Sequence, residues 1–561
     1  MKKLISVVSA LVLIGGFALY SHGDSPVFEG IRGPLASGEE EGYAPLDGPL
    51  SDKIEAGKVL PEVVFMPGTK KLRDLPNDIA TKKIAMREML APEPAAQSTT
   101  SGPIQTAITP SKTPTVGAGF EGISLNNGGG GWPPDTNGDI GPLNYVQTVN
   151  TSVKMIDRGA NPRPSKQFTF NEFMKGAGQP SSAPCGSQNS GDPVVQYDTT
   201  ANRWVVLDFA FNNKYVPSYF CVAVSDTNDA FGTWKSAQLL ASSTELADYP
   251  KMASTPQGFV ISANMFKGGR SYSGANVWVL DRNSLFATTP SLKSILYKLG
   301  TSYFSLMPVN VRFPTVGGIS ANSGYLLSDY GLSGSMRIFQ FTPPNFASGA
   351  TNTIKQTTIL VGSYSSFSSR VPQFGSTETV DALGDRLMYS AEFDDATKSM
   401  YVSRTVTGTK LFAGIRWYQI PVTASTPSAA TSTFGTTISS TFSPDDATHR
   451  WMPSLAVNNN KELAIAYSSS APSKSTYPGI FAVGRSASSL NSGTLDFGEV
   501  VLKSGSGSQS GGYSRWGDYS RVSVDPVDKC TFWYTTEYYS AIGNNWNTWI
   551  TPFKLDPATC P

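Results

Sequence analysis

From about Phe120 onward, short apolar runs alternate with polar turns, and the pattern recurs every ~50–80 residues. Each copy opens on a charged or polar residue, an aromatic and often a proline, then turns into a second apolar strand. Asp192-Pro193-Val194-Val195 is followed by Arg203-Trp204-Val205-Val206, and Asp248-Tyr249-Pro250-Lys251 by Gly258-Phe259-Val260-Ile261. Arg312-Phe313-Pro314-Thr315 precedes Gly324-Tyr325-Leu326-Leu327, and Arg370-Val371-Pro372-Gln373 precedes Arg386-Leu387-Met388-Tyr389. Arg450-Trp451-Met452-Pro453 pairs with Glu462-Leu463-Ala464-Ile465, and Arg515-Trp516-Gly517-Asp518 with Thr531-Phe532-Trp533-Tyr534. An earlier hairpin, Asn144 to Val149 with Val153 to Asp157, makes a seventh copy. Third strands follow, as at Phe220 to Val224, Val277 to Leu280 and Ile415 to Tyr418, and a weaker fourth as at Trp234 to Leu239. Four antiparallel strands repeated seven times predict an all-β chain folded as a seven-bladed β-propeller. The last copy lacks an outer strand, and Gly117 to Leu125 is the natural donor to close the ring. Two stacked β-sandwich domains are the alternative.

Composition supports many short strands. Charged residues are only 16% of the 561, and the 53 glycines and 39 prolines supply turns between them. Lys plus Arg total 44 against 43 Asp plus Glu, a balance with no pull toward nucleic acid or an anionic membrane. Met1-Lys2-Lys3, an apolar run from Leu4 to Tyr20 and Ser21-His22-Gly23 read as a secretory signal over 1–23; an uncleaved anchor is the alternative. Residues 24–115 are rich in Pro, Gly, Ala and Ser and read as a largely disordered extension or linker, or a cleaved propeptide, with one helix from Asp78 to Leu90. Residues 116–561 would form the propeller. All four cysteines lie in the exported part, where disulfides persist, and proximity in the repeat scheme favours Cys185–Cys221 and Cys530–Cys560.

Ser225-Asp226-Thr227-Asn228-Asp229-Ala230-Phe231-Gly232-Thr233-Trp234 resembles the Asp-box turn of sialidase-like propellers, with a different spacing between Asp and Trp. Pro133 to Pro142, Arg515 to Ser520 and Asp525 to Tyr538 resemble a group of exported bacterial propeller proteins of poorly defined function. The resemblance spans about 118–560 and implies architecture and export, but no reaction.

Candidate chemistry follows from the repeats. Propeller strands begin around a central channel, so Arg312, Arg370, Arg450 and Arg515 are expected at one mouth with Asp192 and Asp248 from earlier blades. Second strands end on an acid beside an aromatic, as in Asp329-Tyr330, Glu392-Phe393 and Glu537-Tyr538. Glu392, Glu537 and Asp329 are candidate general acids and bases for a glycosidic bond. The arginines would grip an anionic group, with Tyr330 and Tyr538 as stacking surfaces. Ion pairs within each blade are the competing reading. Asp135, Asn137 and Asp139 alternate oxygen side chains as calcium loops do, though the closing Glu is missing; an Asx-rich turn is the alternative.

Other chemistries are argued down. The exported part holds one histidine, His449, which excludes a multi-histidine zinc site and reads as a strand cap, with a polysaccharide-lyase base beside Arg450 as the alternative. Gly507-Ser508-Gln509-Ser510-Gly511 matches a nucleophile elbow but lies in a Gly/Ser run. No phosphate loop, dinucleotide fingerprint or haem motif appears, so no nucleotide, flavin or haem is expected. The expected function is a secreted or cell-surface monomer that binds, and in one reading cleaves, an extracellular anionic polysaccharide or glycoconjugate. The alternative is non-catalytic recognition of glycans or cell-surface proteins.

Overall fold

A computed structural model describes residues 31–32, 50–80, 84–86, 102–159, 162–212, 214–332, 334–367, 370–384, 386–426 and 429–560. The signal segment predicted over 1–23 lies outside them. At 48% strand and 7% helix the chain is all-β. Most strands fall into seven groups taken in chain order, each numbered as a sheet below, and groups four and five are joined by the parallel pairs Val309↔Ala391 and Asn310↔Glu392 into one ten-stranded sheet. Sheet one comprises Asn137–Ile140, Asn144–Val149, Ser152–Asp157 and Ser165–Thr169. Sheet two comprises Val194–Asp198, Arg203–Phe211, Ser218–Ser225 and Trp234–Ser242. Sheet three is Glu245–Thr255, Gly258–Lys267, Ser271–Asp281 and Ser294–Leu299. Sheet four is Met307–Asn310, Gly324–Ser328, Ser335–Phe341 and Ile354–Leu360. Sheet five is Leu387–Asp394, Ser399–Thr407, Ala413–Thr426 and Ile438–Phe442. Sheet six is His449–Val457, Leu463–Ala471, Thr476–Arg485 and Val500–Lys503. Sheet seven is Arg521–Val524, Phe532–Tyr538 and Asn547–Lys554.

Sheet seven is completed from the other end of the chain. Thr115–Val116 and Phe120–Glu121 pair antiparallel with its third strand, through Phe553↔Val116 and Ile550↔Phe120 among others, within the donor segment expected from the sequence. The first strand of each sheet lies against the first strand of the next, and that of sheet seven lies against that of sheet one. These first strands are buried on both faces, so their polar residues must be bonded internally. Large aromatics including Trp204, Trp234, Trp278, Trp417, Trp451 and Trp516 fill the spaces between sheets.

Three first strands differ from the sequence reading. In sheet four the strand is Met307–Asn310, and Arg312-Phe313-Pro314 lies in the following turn, where the missing N–H of Pro314 removes no ladder bond. Val371–Pro372 pairs only with Thr379–Val380 in a separate hairpin, and Leu387–Asp394, overlapping the expected second strand, is the first strand of sheet five. Arg515 to Asp518 is a loop whose Gly517 and Asp518 have φ of 72° and 63°, outside any strand conformation.

The linker expected over 24–115 is, in its described parts, a belt paired to the sheet edges. Gly57 donates to the Asn352 carbonyl beside sheet four, Lys58–Val59 pairs with the fourth strand of sheet three, and Met66–Pro67 with that of sheet two. Asp78 donates to Gln167 on sheet one. Ile104–Gln105 then runs parallel to Thr441–Phe442 on sheet five, and Lys112 bridges to Phe497 beside sheet six. Proline-rich composition does not prevent this, because an edge needs only backbone donors and acceptors. The helix predicted from Asp78 to Leu90 is absent where described: 78–80 are irregular and Ile84–Met86 is a strand beside Gly131–Trp132. A lone helix of that length is marginal without a packed face. Both expected disulfides, Cys185–Cys221 and Cys530–Cys560, are formed.

Candidate functional site: a filled polar axis

The first strands converge on one axis, and that axis is occupied by charged side chains. At the upstream end, where the chain enters these strands, Asp135, Asp192, Asp248, Lys251, Arg386, Arg515 and Asp518 form one electrostatic cluster. Six first strands are approached or bent through a residue with left-handed φ: Asp135, Asp192, Tyr249, Ser305, Met452 and Asp518. At Asp135, Asp192 and Asp518 the residue so placed is itself a carboxylate of the cluster. Arg515 holds Asp518 through two bonds of 2.9 and 2.8 Å and lies 3.0 Å from Asp381. Lys251 is fully buried, donates to Ser305 Oγ at 3.2 Å and sits 3.2 Å from the centre of the Tyr249 ring. Tyr249 donates to the Asp518 carbonyl and Tyr519 to that of Pro250, bonding sheets three and seven across the axis.

Burial dominates the protonation of this cluster. It raises the Asp135 carboxyl far above the ordinary range, helped by the charges of Asp518 and Asp192. Asp192 is raised in the same way, by burial and then by Asp248 and Asp518. Lys251 is pushed well below the usual ammonium range by burial and by Arg386.

Midway along the axis, Arg521 donates to Tyr389 Oη at 2.8 Å and to the Val195 carbonyl at 3.3 Å. Glu392 accepts from Asn310 and Ser390, each at 2.9 Å, and burial lifts its carboxyl to about 7. At the hairpin end, Arg312 donates to Asp139 at 2.7 Å and to the carbonyls of Ile140, Val524 and Tyr197 at 2.7, 2.9 and 3.1 Å. One guanidinium thus joins the first strands of sheets one, two and seven.

The four arginines expected at one mouth are therefore separated. Arg312 lies at the hairpin end and Arg515 at the upstream end. Arg370 donates to the Ser514 carbonyl at 2.9 Å, while Arg450 binds both Glu499 and Asp446. The acids are equally committed. Asp329 is paired with Arg404 and accepts from Tyr364 at 3.1 Å. Glu537 accepts from the Gly517 amide at 2.8 Å, and burial raises its carboxyl to about 8. Tyr330 is buried with its carbonyl taken by Arg337, and Tyr538 donates to Glu121 at 2.6 Å on the closing strand. Neither tyrosine offers a free face on the axis.

Of Asp135, Asn137 and Asp139, the last two have side-chain partners within the protein. Asp139 accepts from Arg312 and from the amides of Ile140 and Tyr197, while Asn137 accepts from the Val195 amide. Among the described residues, no group of three or more His, Cys, Asp or Glu side chains is placed to hold a metal ion. His449 accepts from the Ala413 amide, and burial lowers its imidazole to about 4, so it serves as a neutral strand cap. The Asp-box segment makes a closed turn in which Thr233 donates to Asp226 at 2.6 Å.

The sequence reading passed over Lys251, Arg386, Arg521 and Tyr389. Lys251, Arg386 and Tyr389 stand inside the repeats, where a charge in or beside a buried strand was the available signal.

Glu537 gives a direct test of this buried electrostatics. Its folded-state proton affinity is raised, so the stability it contributes is complete below pH 4.5 and is lost as pH rises through about 8. Glu537→Gln lacks that loss but can still accept from Gly517. Urea unfolding should show variant and parent diverging in the variant's favour between pH 5 and pH 9, by about 2–4 kcal/mol. A constant difference across that window would show that Glu537 is ionised in the fold at all these pH values.

No family model matches the chain, and no curated protein matches it. Among solved structures, a protein of unknown function from Dyadobacter fermentans DSM 18053 aligns over 65% of this chain and 94% of its own, at 12% identity and a TM-score of 0.31. PorZ, a bacterial surface component of the type-IX secretion system of Porphyromonas gingivalis, aligns over 72% of this chain and 78% of its own, at 10% identity and a TM-score of 0.16. Likenesses this slight bear on neither fold nor function.

Proposed function

We propose that the chain is an exported seven-bladed β-propeller that recognises an extracellular glycan or cell-surface protein without cleaving it. The closed circuit of first strands and the N-terminal strand that completes sheet seven support the propeller. The two disulfides are compatible with an oxidising, extracytoplasmic location, and among the described residues no helix is long and apolar enough to cross a membrane.

One observation carries the non-catalytic reading: the carboxyls available for acid–base chemistry are buried and bonded to other protein groups. A general acid must come within hydrogen-bond reach of the bond it protonates. Glu392, Glu537 and Asp329 are at most 6% exposed, so a polysaccharide has no route to them in this conformation. Incubation with a panel of anionic polysaccharides should release no reducing ends and add no ultraviolet absorbance. Capture assays on that panel and on intact cell surfaces should detect binding. New ends or unsaturated products would overturn the non-catalytic reading, and absence of capture in both assays would overturn recognition.

A further inference from the structure

We propose that a cleft between sheets two and three is a binding site for a carboxylate carried on a compact apolar body, with Arg203 as its principal contact. The inference goes beyond recognition by the propeller as a whole and places a ligand away from the axial cluster. Arg203 opens the second strand of sheet two, beyond the hairpin turn that follows Val194–Asp198. It therefore stands at the opposite end of that hairpin from Asp192.

The arginines of the seven sheets are consistently spent inside the protein. Arg282 pairs with Asp198, Arg312 with Asp139, Arg404 with Asp329 and Arg485 with Gln419. Among the described arginines of these sheets, only Arg203 has a side chain with neither a hydrogen bond nor an ion pair. It is half-buried rather than fully solvated, and it lines a cavity of about 280 Å³. Asp226 and Lys235 share that wall, 3.2 Å apart, so each answers the other's charge. Two cations against one carboxylate leave a net positive charge centred on the unpaired guanidinium. Leu285 and Phe286 add apolar surface to the same lining.

A guanidinium with open donors matches a carboxylate in a two-point fork, and the apolar wall excludes water from one side of that pair. The same chemistry is presented by a free organic acid and by the C-terminal residue of a peptide. Asp226 disfavours a second negative charge, which selects a monoanion.

Titration of the full chain with N-acetyl-leucine, N-acetyl-leucinamide and benzoate tests the site by calorimetry or ligand-observed NMR. N-acetyl-leucine should bind saturably in the millimolar range, and the amide at least about tenfold more weakly. Benzoate binding alongside it would mark a site open to free acids, whereas N-acetyl-leucine alone would mark one shaped for a peptide terminus; either supports the proposal. Arg203→Gln should weaken carboxylate binding at least about tenfold with an unchanged melting temperature. Equal binding of acid and amide, undiminished binding by Arg203→Gln, or no saturable binding of either acid would overturn it. Surface capture by Arg203→Gln shows separately whether the recognition reading stands.

Discussion

Arg312→Met is expected to destabilise the protein by about 3–5 kcal/mol, because it strands a buried carboxylate. Asp139 is fully buried, and its remaining cation, Arg521, stands 3.5 Å away against 2.7 Å for Arg312. The same change strips a donor from the carbonyls of Ile140, Tyr197 and Val524. Unmade bonds to buried groups cost more than made ones contribute. Methionine fills a similar volume, so the effect reads charge and hydrogen bonding rather than a cavity. Arg312→Lys should recover little, since one ammonium cannot reach partners on three strands in a planar fork. Urea midpoints at neutral pH measure the effect, with Arg203→Met as a control expected to shift little. A loss under about 1 kcal/mol for Arg312→Met would mean that this end of the axis holds without its guanidinium.

The second large effect is expected at the closure. A chain beginning at residue 102 should unfold in one cooperative transition, whereas one beginning at residue 124 should not. The shorter chain lacks Thr115–Val116 and Phe120–Glu121, and with them the outer edge of sheet seven. It also loses the Gly122 bond to Thr548, the bond from Ile123 to Gln147 and the packing of Phe120 on Trp533. Gln147 in turn reaches Thr535 and Thr548, so the lost segment supports the join between sheets one and seven. An uncovered third strand presents unpaired backbone groups and promotes association between chains. Calorimetry and light scattering on the two chains decide the matter. If both melt alike and remain monomeric, the closing strand is ornamental.

Much of this fold was legible because a repeat leaves the same marks many times. The third strands, the closing segment and both disulfides could be placed from the spacing of apolar runs and cysteines. Strand phase in sheets four, five and seven was not legible, because first and second strands are both short, apolar and turn-bounded. Only burial on both faces distinguishes them, and that is a property of the assembled sheets. The partners of the charged residues were not legible for a related reason. Hairpin spacing links residues within one sheet, whereas Arg312 meets Asp139 and Arg404 meets Asp329 across sheets, at sequence separations of 173 and 75. The belt was hidden by composition: Pro, Gly and Ala signal disorder, yet edge pairing uses main-chain groups that every residue except proline provides in full.

The closure also sets the order of folding. Residues 115–121 are synthesised long before their partners, 547–554. Contacts of such separation carry a high loop-closure cost and slow the final step. Until then the early segment has no partner, and the first strands of sheets one and seven cannot meet. A nascent chain is therefore held short of its native state until residues 547–554 have been made. Docking of residues 115–121 on Asn547–Lys554 and oxidation of Cys530 with Cys560, which flank that sheet, then become the events that commit it.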